Sequence, residues 1–390
     1  MSTFDAVWAE IDLGNLANNL KVIRNNVNPK TKILAVVKAD AYGHGLYEIA
    51  QRLFLEGVDY FGVASVDEGI DMVIKGISAP VLVLRSVLIE EMPALLDAGL
   101  IPSINCISAA KAADLYGCSK NRKVKIHIKI DTGSYGDGIS SDECSDFFED
   151  VSLMKWIEIE GIYTHLTSAY GQDANSVQNQ LDSFKNVVDI ARMKGLHIPL
   201  LHAASSPAIF RYKDAHFNMV RAGTALYGLP FVGDDCIFSL KPVMQLKSRI
   251  ICIKELEKGC MKGYGQKCDE QRSMKIAYAA IGYADAPFLL EAKNINVLIG
   301  GKYFRVYGNA YMDHIKVDIS GHNNIKAGDE VVIFGNQKNR HIGALEVANA
   351  CNISKVNCES ICFLGKRVNK YHMDSCIQSD AEIRELTALL

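Results

Sequence analysis

The segment TKILAVVKADAYGHG, residues 31–45, sets a five-residue apolar run (33–37) directly before a lysine and a turn-rich Ala-Asp-Ala-Tyr-Gly-His-Gly stretch. A short β-branched run next to a stretch of helical period reads as a strand of a parallel sheet. A stretch of helical period follows at 46–55, and the pair then repeats. Further apolar runs at 60–63, 81–84, 101–104, 124–130, 157–163, 199–202 and 217–220 bring the strands to eight, with helical stretches at 67–75, 89–98, 108–115, 142–151 and 177–193. Alternation of this kind predicts a parallel sheet with crossover helices, and eight strands predict closure into a (β/α)8 TIM-like barrel. Ser65 and Ser140 stand where helix N-caps belong, and Glu68, three residues past Ser65, completes a capping box.

Beyond about residue 235 the pattern changes. Runs at 245–253, 273–281, 296–299, 303–307 and 330–334 lie close together with glycine-containing turns, which predicts an all-β domain. The expected fold class is therefore α/β plus all-β: a barrel domain over 1–235 and a C-terminal β domain over 236–390, with the boundary near 231–239.

Composition narrows the partners. The chain has 390 residues, 49% hydrophobic content and a net charge of −3, enough for two cores and without the basic surface that attracts nucleic acid or anionic membrane. No apolar run approaches the ~20 residues that span a bilayer. The N-terminus lacks a basic flank followed by an apolar core, so the eleven cysteines read as reduced thiols of a cytoplasmic protein. Cys351, Cys358 and Cys362 have no zinc-ligand spacing, and no metal is expected. Small molecules are the expected partners.

In such a barrel reactive groups sit just past the C-terminal ends of the strands. The residues at those points are Lys38, Arg85, Lys129 with Asp131, His165, Ser205 with Ser206, and Arg221. A lysine following Leu-Ala-Val-Val delivers its amine to a site where Schiff-base chemistry becomes possible. At the last strand, Arg221-Ala-Gly223-Thr224 offers backbone amides and a small residue where barrels bind phosphate, with Ser206 able to add a hydroxyl. A lysine facing a phosphate cradle points to pyridoxal 5'-phosphate.

The blocks WAEIDLGNL (8–16), VVKADAYGHG (36–45), KIDTG (129–133), GIYTHL (161–166), NMVRAGTALYG (218–228), IGYAD (281–285) and YMD (311–313) resemble, in order, those of the alanine racemase family. The resemblance implies a barrel plus β domain, and a homodimer whose active sites are completed across the interface. It implies Lys38 as the Schiff-base lysine and one acid/base group, with Tyr283 of the partner subunit as the other on the opposite face of the cofactor. Two bases on opposite faces are what stereoinversion needs. Arg221 would face the pyridine nitrogen, with His165 contacting that arginine. Tyr42, Ser206 and Gly223 would hold the phosphate with Thr224 beside them, and the Met312 amide would meet the substrate carboxylate. Lys129 matches a lysine that is carbamylated in many members.

Departures fall on the substrate side. Gly136 replaces an arginine that binds the substrate carboxylate, Cys358 a tyrosine at the phosphate and substrate pocket, Ser205 an asparagine, and Asn309 an arginine. These changes imply an amino-acid racemase acting on alanine or another amino acid, with Arg85 as a compensating cation. Two other readings share the fold: a decarboxylase or aldol-cleaving enzyme using the same cofactor, and a cofactor-binding protein without activity. Retention of Tyr283 speaks against the first, since a one-face reaction needs no second base.

Overall fold

The alternating Val-Lys-Ile-His-Ile-Lys-Ile-Asp of 124–131 forms a strand whose aliphatic residues pack into the outer core while its polar residues reach partners across the barrel interior. The computed structural model describes residues 5–171, 173–229, 240–258, 261–263, 266–267, 272–292, 295–353, 360 and 362–374. The expected boundary at 231–239 and Cys358 lie outside the described residues.

In chain order the first ten strands are β1 (Val7–Asp12), β2 (Lys32–Val36), β3 (Tyr60–Val63), β4 (Val81–Ser86), β5 (Ile101–Ile104), β6 (Val124–Asp131), β7 (Ile139–Ser140), β8 (Ile157–Thr164), β9 (Leu200–His202) and β10 (Met219–Ala222). Eight of them run parallel in the order β10-β2-β3-β4-β5-β6-β8-β9. Between β9 and β10 the ring is drawn together by hydrogen bonds. Asn218 accepts from the Leu201 amide at 2.7 Å and donates to the Pro199 carbonyl at 2.6 Å, while the Arg221 amide donates to the Ala204 carbonyl at 2.9 Å. Leu34, Tyr60, Leu82, Ile101, Leu200 and Met219, mostly from early strand positions, plug the interior with apolar bulk. That plug leaves the C-terminal mouth for chemistry.

The remaining strands form the predicted β domain. Its main sheet runs Lys302–Arg305, Asn296–Ile299, Glu330–Gln337, Met244–Leu256, β1, Asn369–Met373. β1 pairs antiparallel with Met244–Leu256 and parallel with Asn369–Met373, so the chain's opening block Trp8-Ala-Glu-Ile-Asp12 contributes to the second sheet rather than to the barrel.

Ser65 caps the helix Val66–Ile74 as expected, with both halves of the capping box formed with Glu68. Ser140 does not cap. The following helix starts only at Cys144, because Ile139–Ser140 is drawn into a short ladder with β6 and extends the chain past the expected start. Among the described residues no helix is long and apolar enough to cross a membrane.

Candidate active site

The apolar run before Lys38 does not carry a strand up to the lysine. β2 ends at Val36, and Lys38 opens a short turn in which Ala39, Asp40, Ala41 and Tyr42 all have positive φ (55°, 55°, 52° and 53°). Left-handed backbone costs roughly 1–2 kcal/mol per L-residue, so this turn must be held from outside. Glu68 Oε1 accepts from the Ala39 amide at 2.5 Å, Asp40 Oδ1 accepts from the Leu46 amide at 2.8 Å, and Asp40 also pairs with Lys370 of the β domain. Gly43, at φ 79°, closes the turn against the other domain: a Cβ there would lie 2.0 Å from the Cys362 carbonyl oxygen. The strain sits beside the candidate reactive lysine, where it fixes the direction in which Lys38 leaves the strand.

Lys38 borders a cavity of about 490 Å³ at the barrel mouth. The same cavity is lined by Tyr42, Arg85, Lys129, Gly136, His165, Ser205, Ser206, Arg221, Gly223 and Thr224, so the barrel part of the predicted site is brought together. On one wall Ser206 Oγ accepts from the amides of Gly223 (2.9 Å) and Ala225 (3.2 Å), which leaves its own proton to give. Ser205 Oγ and Thr224 Oγ1 are buried and have no hydrogen-bond partner among the described residues. Buried hydroxyls are rarely left unpaired. Gly223 keeps the wall open, since a Cβ would come within 3.0 Å of the Tyr42 hydroxyl. Three hydroxyls converging on a glycine-lined wall fit a phosphate group, with Lys38 on the same cavity to take up a carbonyl.

Arg221 is buried at the cavity floor and donates to four acceptors: Thr164 O (2.7 Å), His202 O (3.0 Å), Ala203 O (3.2 Å) and His202 Nδ1 (3.2 Å). The histidine ring bonded to this arginine is therefore His202, not the expected His165. The reason is topological: His202 ends β9, next to β10, whereas His165 lies just past β8 at the rim. With Nδ1 accepting, His202 must be protonated at Nε2, which faces His127 Nδ1 at 2.9 Å. His127 Nε2 then donates to Glu160 Oε2 at 3.2 Å, and Lys125 donates to Glu160 Oε1 at 2.7 Å. One consistent tautomer assignment thus runs from the cavity floor to the far end of the barrel. Burial holds both rings neutral by lowering their pKa values, while burial lowers Arg221 only to about 10, leaving it charged at neutral pH. Burial first, and the cations Arg221, Lys129 and Lys38 after it, lower His165 to about 3.

On the opposite wall Lys129 pairs with Asp137 and donates to the Leu84 carbonyl at 3.4 Å. Asp137 is fixed further by the Ser86 hydroxyl (2.6 Å) and amide (3.3 Å), and these hydrogen bonds with Lys129 and Ser86 outweigh its burial and hold its pKa below the usual range. Arg85 also borders the cavity, with Nε on the Ala64 carbonyl at 3.1 Å and Nη2 on Glu91 at 2.9 Å.

Tyr283 and Met312 are not among the residues that line this cavity. They sit together on the β domain, where the Tyr283 amide donates to Tyr311 O (3.0 Å) and the Ala284 amide to Met312 O (3.1 Å). Gly282 permits the contact, since a Cβ would fall 2.2 Å from the Met312 oxygen. Asp285 clasps the turn through the Gly282 amide (2.9 Å) and Arg367 Nε (2.5 Å), and Arg367 reaches on to Asp313 at 2.7 Å. Met312 is 51% exposed and Asn309 is exposed beside it. The sequence reading missed His202, His127, Glu160, Asp137 and the Asp285–Arg367 clasp. For His127 a signal existed in the strict alternation of β6, which sends every second residue inward.

A lysine and a phosphate-type wall sharing the mouth of a (β/α)8 barrel, backed by a buried arginine and joined to a β domain, define an enzyme class that works through a phosphorylated carbonyl cofactor. The family models for the alanine racemase N-terminal domain and C-terminal domain match residues 11–230 and 243–372. The alanine racemase of Halothermothrix orenii is 35% identical over 363 residues, 93% of this chain and 95% of that protein. Among solved structures, the alanine racemase of Clostridium difficile 630 superposes with a TM-score of 0.89 at 34% identity, covering 95% of this chain and 97% of that one. The alanine racemase of Bartonella henselae with covalently bound pyridoxal phosphate gives 0.85 at 27% identity, covering 95% and 100%. The chain belongs to the alanine racemase family.

Proposed function

We propose that the chain is a pyridoxal 5'-phosphate-dependent racemase interconverting L- and D-amino acids, alanine or another, as a cytoplasmic homodimer with shared sites. The observation that carries this reading is the wall of Ser205, Ser206 and Thr224 hydroxyls around Gly223, on the same cavity as Lys38. When bound, the cofactor supplies a carbonyl for covalent uptake by Lys38 and a ring that accepts the electron pair left as the substrate's α-proton departs.

The chain's residues supply the rest. Ser206 donates its hydroxyl proton to the phosphate while its oxygen keeps the Gly223 and Ala225 amides. Arg221, charged and anchored by four acceptors, offers a hydrogen bond to the ring nitrogen and withholds its proton. That restraint limits electron withdrawal, which favours prompt return of the α-proton over slower competing reactions. Lys38 takes and gives the proton on one face. Tyr283 of the partner subunit does so on the other, held at its height by the Gly282–Asp285 turn. The Met312 amide is assigned to the substrate carboxylate and Arg85 to the cavity edge as a compensating cation, with Gly136 leaving room beside it.

The test is to load the purified chain with pyridoxal 5'-phosphate, record its visible absorbance, and follow α-proton exchange in heavy water across L- and D-amino acids. Exchange with inversion is expected. Exchange with retention, or cleavage of a carbon bond, would overturn the racemase reading.

A further inference from the structure

Resting on that function, we propose that Lys129 works as an unmodified ammonium, charged and aimed by Asp137, and is the cation that meets the carboxylate of the amino-acid substrate. Among the described residues four cations line the cavity: Lys38, Arg85, Lys129 and Arg221. Lys38 is committed to the cofactor. Arg221 spends its four Nη protons on acceptors at the floor, which leaves only Nε–H, already assigned to the ring nitrogen, and Arg85 holds Glu91 and the Ala64 carbonyl, leaving it half-exposed at the edge.

An ammonium has three N–H donors. Lys129 uses one on Asp137 and one on the Leu84 carbonyl, so the third remains for a ligand in the cavity it borders. Gly136, one residue before Asp137, puts no side chain between them and that space. Asp137 is well placed as a fixed counter-charge because the Ser86 hydroxyl and amide share its carboxylate, and Asn105 Nδ2 holds the Ser86 oxygen at 2.6 Å. The other carboxylate bordering this wall, Asp131, is spent on the loop itself, accepting from the Gly133 and Ser134 amides and the Ser134 hydroxyl.

The same geometry opposes carbamylation. A carbamate there would lose the ion pair and set a second anion against Asp137. An ammonium is compact and its three donors swivel, so the site receives a point charge rather than a planar fork. The substrate class that fits is a small amino acid whose carboxylate approaches the Lys129 wall.

Two measurements test this. The protein without cofactor, equilibrated with 13C-bicarbonate, is expected to show no carbamate carbon resonance; a resonance absent from Lys129→Met would overturn the proposal. On the cofactor-loaded enzyme, propionate binding by titration calorimetry is expected to weaken at least roughly ten-fold in Lys129→Met and to stay within about three-fold in Lys129→Arg. Asp137→Asn is expected to weaken it by an intermediate factor. Unchanged propionate affinity in Lys129→Met, with the cofactor absorbance retained, would overturn the assignment. Failure of the wild type to take up the cofactor would instead overturn the proposed function, a separate result that the first measurement does not depend on.

Discussion

The barrel mouth and the Gly282–Asp285 turn of the β domain are both held rigidly, yet only one of them has something to act on within its own chain. At the mouth, Arg221 has four acceptors, Ser206 two donors, and Lys38 a strained turn braced by Glu68 and Lys370, all converging on one cavity. The turn is fixed as firmly by Asp285, Arg367 and the Met312 carbonyl, but Tyr283 and Met312 do not line that cavity, and Met312 is half in solvent. Rigid presentation of a phenol and a backbone amide is a costly arrangement to leave unused. The proposed function gives it a role as half of a site whose other half is a second copy's barrel mouth, in a two-fold dimer in which each chain completes the other.

The largest effect should come from separating the two halves. Lys38→Ala and Tyr283→Phe are each expected to lose at least about 10³-fold in racemisation, with only the first losing covalent attachment of the cofactor. Mixing the two variants after dissociation and reassembly should restore activity to roughly a quarter of wild type, since half the dimers are mixed and each holds one intact site. No recovery on mixing, in dimers shown to have exchanged subunits, would place both groups in one chain's site and leave the β-domain turn without a role in the partner's chemistry.

What the sequence disclosed follows the same division. The barrel strands, the wall at Ser206, Gly223 and Thr224, and the floor at Arg221 were legible because a barrel turns position along a strand into position at the mouth. His202 was not, because whether it or His165 meets Arg221 depends on which strand neighbours β10 once the ring closes. The left-handed turn after Val36 was hidden too: Glu68 and Lys370, which hold it, lie 29 and 330 residues from the turn residues they bond. Tyr283 could be named from a short block, but its partner Asp285 acquires meaning only when Arg367 folds back onto it.

A second effect concerns acid. Burial lowers the barrel's His44, His127, His165, His202 and His216, His44 to about 4, whereas among the described histidines of the β domain it lowers only the partly exposed His314. A histidine lowered in the folded state binds its proton more readily when unfolded, so its contribution is whole above about pH 6.5 and is lost as pH falls toward the folded value. For His44 alone the loss between pH 6.5 and 4 is about 3 kcal/mol. Hydrogen exchange at pH 7 and 4.5 should show amides of the barrel strands losing protection before those of Met244–Leu256 and Glu330–Gln337. Equal loss in both regions would mean that the barrel does not open separately from the β domain.

The smallest effect tests how far the mouth depends on what lies beneath it. His202→Phe keeps the ring that stacks on Tyr163 at 4.8 Å but removes both nitrogens. Arg221 retains three carbonyl acceptors, so it stays in place and charged, and cofactor binding should survive. What it loses is the ring that fixes the plane of its guanidinium, while His127 is left with a buried acceptor unpaired, at about 1–3 kcal/mol in stability. The expected result is a roughly ten-fold fall in kcat with little change in KM, since the arginine's aim matters more as charge develops than in the resting complex. Proton exchange at Tyr283's amide should be unaffected, because nothing in the β-domain turn touches this line of side chains. A fall in KM-dependent binding with kcat intact would instead assign His202 to shaping the cavity, and the chain from Arg221 to Glu160 would then be packing polarity inside a barrel rather than support for its chemistry.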